Sequence, residues 1–173
     1  IGSGASIAAI KDGKCVATSM GLTPLGGIMM GTRTGDIDPS VVYFLCKKLN
    51  KSIDEVYDIL NKKSGLLGVS GISNDTRDVL KAMESGHPRA LLADALFNRR
   101  IADYIGQYFV RLGGADLIIF SAGIGENSAY FRSKIIEEIG PALGVKIDET
   151  INESSRGVSV LLSTPDSKVK VAL

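Results

Sequence analysis

Leu117-Ile118-Ile119-Phe120-Ser121-Ala122-Gly123-Ile124-Gly125-Glu126-Asn127-Ser128 is the stretch on which the fold turns. Four consecutive apolar residues read as a short buried strand. A glycine-rich turn follows, and Asn127 or Ser128 can then cap a helix that carries Phe131, Ile135, Ile136 and Ile139 and stops at Gly140. Toward the N-terminus, residues 88–112 read as one long helix, with Leu91, Leu92, Ala95, Leu96, Ile101, Tyr104, Ile105, Tyr108 and Phe109 as apolar positions and Gly113-Gly114 as its end. Asn74 or Asp75 caps a shorter helix before it. Ser52-Ile53-Asp54-Glu55 is a capping box for a helix reaching about Lys63, before Gly65. Asp38-Pro39 starts another, with Val41, Val42, Leu45, Cys46 and Leu49 on one face. Residues 20–38 read as a long ordered loop. Residues 6–10 and 15–19, joined through Asp12-Gly13, form a hairpin, and 159–162 and 169–173 are the last strands. A hairpin followed by strand, helix and strand predicts a mixed sheet of the α/β class.

Composition narrows the function classes. The chain has 173 residues, 20 Lys plus Arg against 19 Asp plus Glu, and a net charge of +1, so no field for a polyanion such as nucleic acid exists. No run of about 18 apolar residues predicts a membrane span, and the first residues, Ile1-Gly2-Ser3-Gly4-Ala5-Ser6, do not read as a signal peptide. Cys15 and Cys46 give neither a disulfide framework nor a metal quartet and read as buried, reduced intracellular thiols. The single histidine, His87, lies in Gly86-His87-Pro88, a turn context that speaks against a Ser-His-Asp hydrolase. The chain opens without Met on a glycine-rich loop and closes on an alternating stretch, so both ends read as cut inside structural elements of a longer chain.

Glycine is the outlier, 20 residues or about 12% against a usual 7%, gathered in short polar clusters. Gly2-Ser3-Gly4 runs into the hairpin, where a Walker A loop would open a helix; a tight turn there can still offer amides to phosphate, or be a plain β-turn. Gly31-Thr32-Arg33-Thr34-Gly35-Asp36-Ile37-Asp38 sets an arginine fork on a loop, suited to phosphate or carboxylate, unless Arg33 pairs with Asp36 or Asp38 to stiffen it. Ser73-Asn74-Asp75-Thr76-Arg77-Asp78 reads as an N-cap with surface charges. Gly123-Ile124-Gly125, between strand and helix, is placed for an anion or nucleotide, or is a close-packing turn. It imitates a dinucleotide fingerprint with Asp148 about 20 residues on, but the acid should follow on the next strand, so an oxidoreductase is a weak rival.

Taken together, residues 4–19, 20–39, 64–78 and 116–127 resemble the acetate kinase family. Thr18-Ser19-Met20-Gly21-Leu22-Thr23-Pro24-Leu25 and Met29-Met30-Gly31-Thr32-Arg33-Thr34-Gly35-Asp36-Ile37-Asp38-Pro39 are similar to that family's signature almost without a break. The resemblance runs over nearly the whole chain but only over the family's C-terminal half. It implies a ribonuclease-H-like fold, a five-stranded mixed sheet flanked by helices, with residues 1–173 as the single C-terminal nucleotide-binding domain of a two-domain kinase of the sugar kinase, heat-shock chaperone and actin superfamily. It implies reversible phosphoryl transfer from ATP to acetate, giving acetyl phosphate and ADP, with Mg²⁺ as the metal. By the same resemblance, Arg33 stabilises the transferring phosphoryl group; Ile1, Gly2, Ser3 and Gly4 form a phosphate loop; and Asp75, Thr76 and Arg77, with Gly123, Ile124, Gly125, Glu126 and Asn127, lie against adenosine. Ser3 stands where the family usually has Asn. No metal ligand is implied on this chain, because the family's Mg²⁺-linked Glu falls after the last strand. Implied partners are acetate or a similar short carboxylate, the N-terminal domain of the same enzyme and a second copy in a homodimer, in the cytoplasm. A propionate or butyrate kinase and a non-catalytic nucleotide-binding module are the alternatives, and this half alone is expected to be inactive.

Overall fold

Asp12 and Gly13 both take positive φ, 51° and 72°, as a two-residue hairpin turn requires. They join β1 (Ala8–Lys11) to β2 (Lys14–Thr18), which pair antiparallel with an irregularity between Ala9 and Ile10. The computed structural model describes residues 1–173. After the hairpin come α1 (Ser40–Leu49), α2 (Ile53–Lys62), α3 (Gly65–Ser70), α4 (Thr76–Glu84), α5 (Pro88–Leu112), β3 (Leu117–Ile119), α6 (Ala122–Asn127), α7 (Ala129–Leu143), α8 (Glu149–Ser154) and β4 (Lys170–Ala172). The chain divides into two compact units: Ile1–Gly2, Ile7–Thr18 and Asn98–Leu173 form one, and Ser3–Ser6 with Ser19–Phe97 the other. No helix is long and apolar enough to cross a membrane.

Both sheets lie in the first unit. The α/β class holds, but the five-stranded sheet does not: two separate two-stranded sheets stand in its place. β3 and β4 pair parallel, Ile118 opposite Val171. The predicted strand at 159–162 is only a set of single bridges, Leu161 to Ala172 and, one residue beyond it, Ser163 to Ile147; the strands are too short to extend a ladder. Nor is β3 buried throughout, since pleating turns Leu117 and Ile119 (62% exposed) outward while Phe120 just after it is buried. The core is on α7, where Phe131, Ile135, Ile136 and Ile139 are all buried, as their spacing predicts. Helix α7 does not stop at Gly140. It continues over Pro141 to Leu143 and ends at Gly144, φ 68°. Gly140 serves packing instead, as a Cβ there would sit 2.9 Å from the Val145 carbonyl oxygen.

The second unit is helical. Ser52 and Glu55 form the expected capping box of α2, and Asp38 accepts from Ser40 N at the start of α1. The expected apolar face of α1 is only half-buried, and no residue of that helix is fully buried. Helix α2 stops at Lys62, within a residue of the expected end, and Gly65 opens α3 with φ 62°. Helix α5 has the expected bounds and belongs to this unit up to Phe97 and to the first from Asn98; its buried residues include Ala90, Ala93, Phe97 and Ile101, and Leu91, Leu92 and Leu96 point to solvent. Cys15 is exposed and Cys46 half-buried, both free thiols, so neither is the buried residue expected. Short α3, α6 and α8 lack the periodic length that reveals a helix in sequence.

A Cβ on Gly65 would lie 2.1 Å from the Met30 carbonyl oxygen and 2.8 Å from that of Arg33. Gly65→Ala is therefore expected to destabilise by at least the 1–3 kcal/mol of a strained positive φ. An unchanged urea midpoint would refute the close approach. A second outcome concerns pH. The Arg77 side chain and its main-chain N–H hold the Asp75 carboxyl down to about 2. The folded value is below the unfolded one, so this contribution is complete above the ordinary carboxylate range near 4 and is lost as pH falls through about 2. Asp75→Asn keeps an N-cap but is expected to flatten the decline in melting temperature between pH 5 and pH 2.

Candidate functional site

In the second unit the loop bearing Arg33 is fastened by main chain. Met30 N donates to Arg33 O at 3.1 Å, Thr34 N to Leu60 O at 3.1 Å, Ser64 N to Thr32 O at 2.9 Å and Leu66 N to Met30 O at 2.9 Å. Thr32 Oγ1 donates to Asn61 O at 2.8 Å. Gly31 lies where two candidate segments meet: its N–H donates to Ser3 O at 3.1 Å, and a Cβ there would be 3.0 Å from Asn74 O. Ser3, Arg33 and the start of the Asp75 segment are thus brought into one neighbourhood. A Cβ on Gly4 would lie 3.4 Å from Arg33 Nη1, so the absent side chain lets the guanidinium rest over that turn.

Arg33 forms no ion pair. Its Nη1 reaches Pro24 O at 3.2 Å and Met30 Sδ at 3.6 Å. The two loop acids act elsewhere: Asp36 Oδ1 accepts from Gly27 N at 2.7 Å and Asp38 Oδ1 from Ser40 N at 2.8 Å. Arg33 is therefore not the loop-stiffening partner of either acid, and its fork keeps donors for an external anion.

Asp75 caps α4 through Arg77 N at 2.9 Å, and Arg77 Nη2 meets Asp75 Oδ2 at 2.5 Å. Arg77 is 87% exposed at its side chain, so its outer edge is open although the inner one is committed. Thr76 is 8% exposed and faces the interior, so its side chain is poorly placed to stack on a base.

In the first unit, Ile1, Gly2 and residues 123–127 form the other group. Ile124 N and Gly125 N both donate to Ile1 O, at 2.8 and 3.0 Å, and Ala122 N donates to Glu126 Oε1 at 2.7 Å. The start of α6 is thus not an open crown of amides for an anion. The Gly123 N–H alone is left uncommitted there, on an exposed residue whose Cβ would meet nothing within 4 Å. That suits a ligand edge laid against the backbone better than a phosphate cluster. Asp148 caps α8 through Ile151 N at 3.1 Å, which removes it from any dinucleotide role.

Sequence reasoning missed Arg132. It is fully buried, with Nε on Asn152 Oδ1 at 2.6 Å, Nη1 on Gly125 O at 2.9 Å, and Nη2 on Asn152 O and Ser155 O at 2.7 and 3.1 Å. Burial lowers its pKa from the usual arginine value, nearby Arg156 adds to this, and Glu149 opposes it. One signal was available: with Ile135, Ile136 and Ile139, Arg132 completes an i, i+3, i+4, i+7 stripe, so a cation sits on the apolar face. No group of three or more His, Cys, Asp or Glu side chains could hold a metal ion.

Residues 1–173 match the acetokinase family. Acetate kinase of Clostridium novyi is 56% identical over 99% of the chain and 42% of its own length, and that of Agathobacter rectalis 53% identical over 100% and 43%. Among solved structures, Porphyromonas gingivalis acetate kinase superposes with a TM-score of 0.94 at 44% identity, covering 99% of this chain and 43% of that one. A propionate kinase from Francisella tularensis gives 0.91 at 39%, covering 99% and 43%. The chain thus spans less than half the length of these relatives, and with the family match running over all of residues 1–173 it belongs to the acetokinase family.

Proposed function

We propose that this chain is the nucleotide-binding half of an acetate kinase, which transfers the terminal phosphoryl group of ATP reversibly to acetate. The observation that carries this reading is Arg33: a guanidinium over the Gly4 turn, on a loop tied down by main chain, with no carboxylate partner. Phosphoryl transfer needs positioning and charge stabilisation more than covalent help, and a preorganised planar cation supplies it at the equatorial oxygens. In this reading residues 1–4 are assigned to the phosphates, and Gly123 to Asn127 in the first unit and Asp75 to Arg77 in the second are each assigned to adenosine by the family resemblance. Mg²⁺ would, in this reading, accompany the nucleotide phosphates and neutralise the charge that develops on them. We further infer a ribonuclease-H-like plan for the first unit, supported by the order hairpin, helix, strand, helix and parallel return strand.

The test is a chimera in which this chain replaces the matching span of the Clostridium novyi acetate kinase, assayed for acetyl phosphate formation from ATP with acetate or propionate. Turnover is expected with acetate preferred, whereas the 173 residues alone should give none. Arg33→Ala in the chimera should lower kcat about 10²–10³-fold with ATP affinity little changed; near-normal turnover would remove Arg33 from the reaction. For the adenosine side, calorimetry on the purified chain is expected to show weak ADP binding. Gly123→Val should abolish it without unfolding, since the added side chain enters open space, and Arg77→Ala should weaken it. Unchanged affinity in both folded variants would mean that adenosine binds elsewhere.

A further inference from the structure

The six residues of α6 are too few to hold themselves as a helix, yet this segment carries the exposed Gly123 edge. Its last carbonyls are all satisfied, the first by the helix's own C-cap and the other three from outside. Ile124 O accepts from Ser128 N at 3.0 Å, Gly125 O from Arg132 Nη1 at 2.9 Å, Glu126 O from Gly157 N at 3.4 Å and Asn127 O from Arg156 Nη1 at 2.5 Å. Two guanidiniums thus meet the C-terminal end of the helix, where its dipole favours positive charge. Arg132 is in turn set by α8: Asn152, fully buried, accepts from Arg132 Nε and donates through Nδ2 to Ser133 Oγ at 2.8 Å, Glu149 Oε2 at 3.0 Å and Ala129 O at 3.2 Å. Arg132 forms no ion pair, so its buried charge is met by oxygen dipoles, an arrangement that is costly unless every donor is placed.

We propose that Arg132 and Arg156 are positioning residues for the nucleotide, two forks that clamp the C-terminal carbonyls of α6 and thereby fix where Gly123 presents its amide. Neither touches the ligand in this account; both act through the α6 backbone. The proposal rests on the adenosine reading of that segment and adds residues 152–157 to the machinery of the site. Lysine cannot substitute at position 132, because one ammonium cannot span acceptors on Gly125, Asn152 and Ser155 together.

The test combines amide hydrogen exchange by NMR with ADP calorimetry on the purified chain. In Arg132→Lys, exchange at Ile124, Gly125 and Ser128 is expected to accelerate at least tenfold while Ile135 and Ile136 in α7 stay protected, and ADP affinity should fall about tenfold. Arg156→Ala, at an exposed residue, should show the same pattern more weakly and serves if Arg132→Lys does not fold. Unchanged exchange in the folded variants would overturn the clamp. Faster exchange with unchanged ADP affinity would overturn the positioning role. Faster exchange in the variants, when the parent chain binds no ADP at all, would instead sink the adenosine reading and, with it, the role proposed for the two arginines, while the clamp itself stands.

Discussion

The Arg33 loop depends on backbone approaching backbone with no side chain between. Gly27, Gly35 and Gly65 all have positive φ, and a Cβ on any of them would come within 2.1–2.5 Å of a carbonyl oxygen. This closeness lets Met30, Thr32 and Arg33 exchange hydrogen bonds with one another and with the segment entering α3. A loop closed in this way loses little further entropy when a ligand arrives, because it has already been ordered by folding. The long arginine side chain is the part left adaptable. In the proposed reading, a rigid main chain places that guanidinium, and positioning is what phosphoryl transfer asks of a protein.

The α6 segment solves a similar problem by different means. Its turn is not packed tightly at Gly123, where space is open, but is held from both ends. Ile1 O takes two amides at the start, and Arg132, Arg156 and Gly157 take carbonyls at the finish. In one unit the glycines permit contact of main chain with main chain. In the other, a glycine leaves surface bare while arginines do the fastening.

Much of this could be read from residues. The hairpin turn, the Ser52 capping box, the bounds of α5 and the core stripe of α7 follow from local chemistry that tertiary packing did not override. The conspicuous glycines and Arg33 also stand out in the sequence before any contact is known. What could not be read was set by distant partners. Gly65 and Gly140 look like helix ends in sequence, but their roles come from the Met30 and Val145 carbonyls pressed against them. The leucines of α5 give a plausible stripe, yet the smaller Ala90 and Ala93 are buried in preference. The sheet was overestimated because the apolar run Val160-Leu161-Leu162 marks extended chain without saying whether a neighbour continues the ladder.

The two arginines of this chain that matter most are opposite in kind, and the difference separates structure from chemistry. Arg132 has oxygen partners at Nε and at both terminal nitrogens, four acceptors in all, and is closed to solvent; no ligand could reach it. Arg33 is only half-buried, has a main-chain oxygen and a thioether sulfur as its partners, and keeps donors unused. A fully bonded cation stabilises one geometry and resists change, whereas a partly bonded one has favourable interactions still to make. Binding a phosphoryl group at Arg33 would complete its hydrogen bonding without breaking an ion pair first, so the interaction need not overcome a competing carboxylate. The same residue type is thus a fully bonded support in one unit and a partly bonded cation in the other, and the distinction lies in the number and chemistry of the acceptors around each fork.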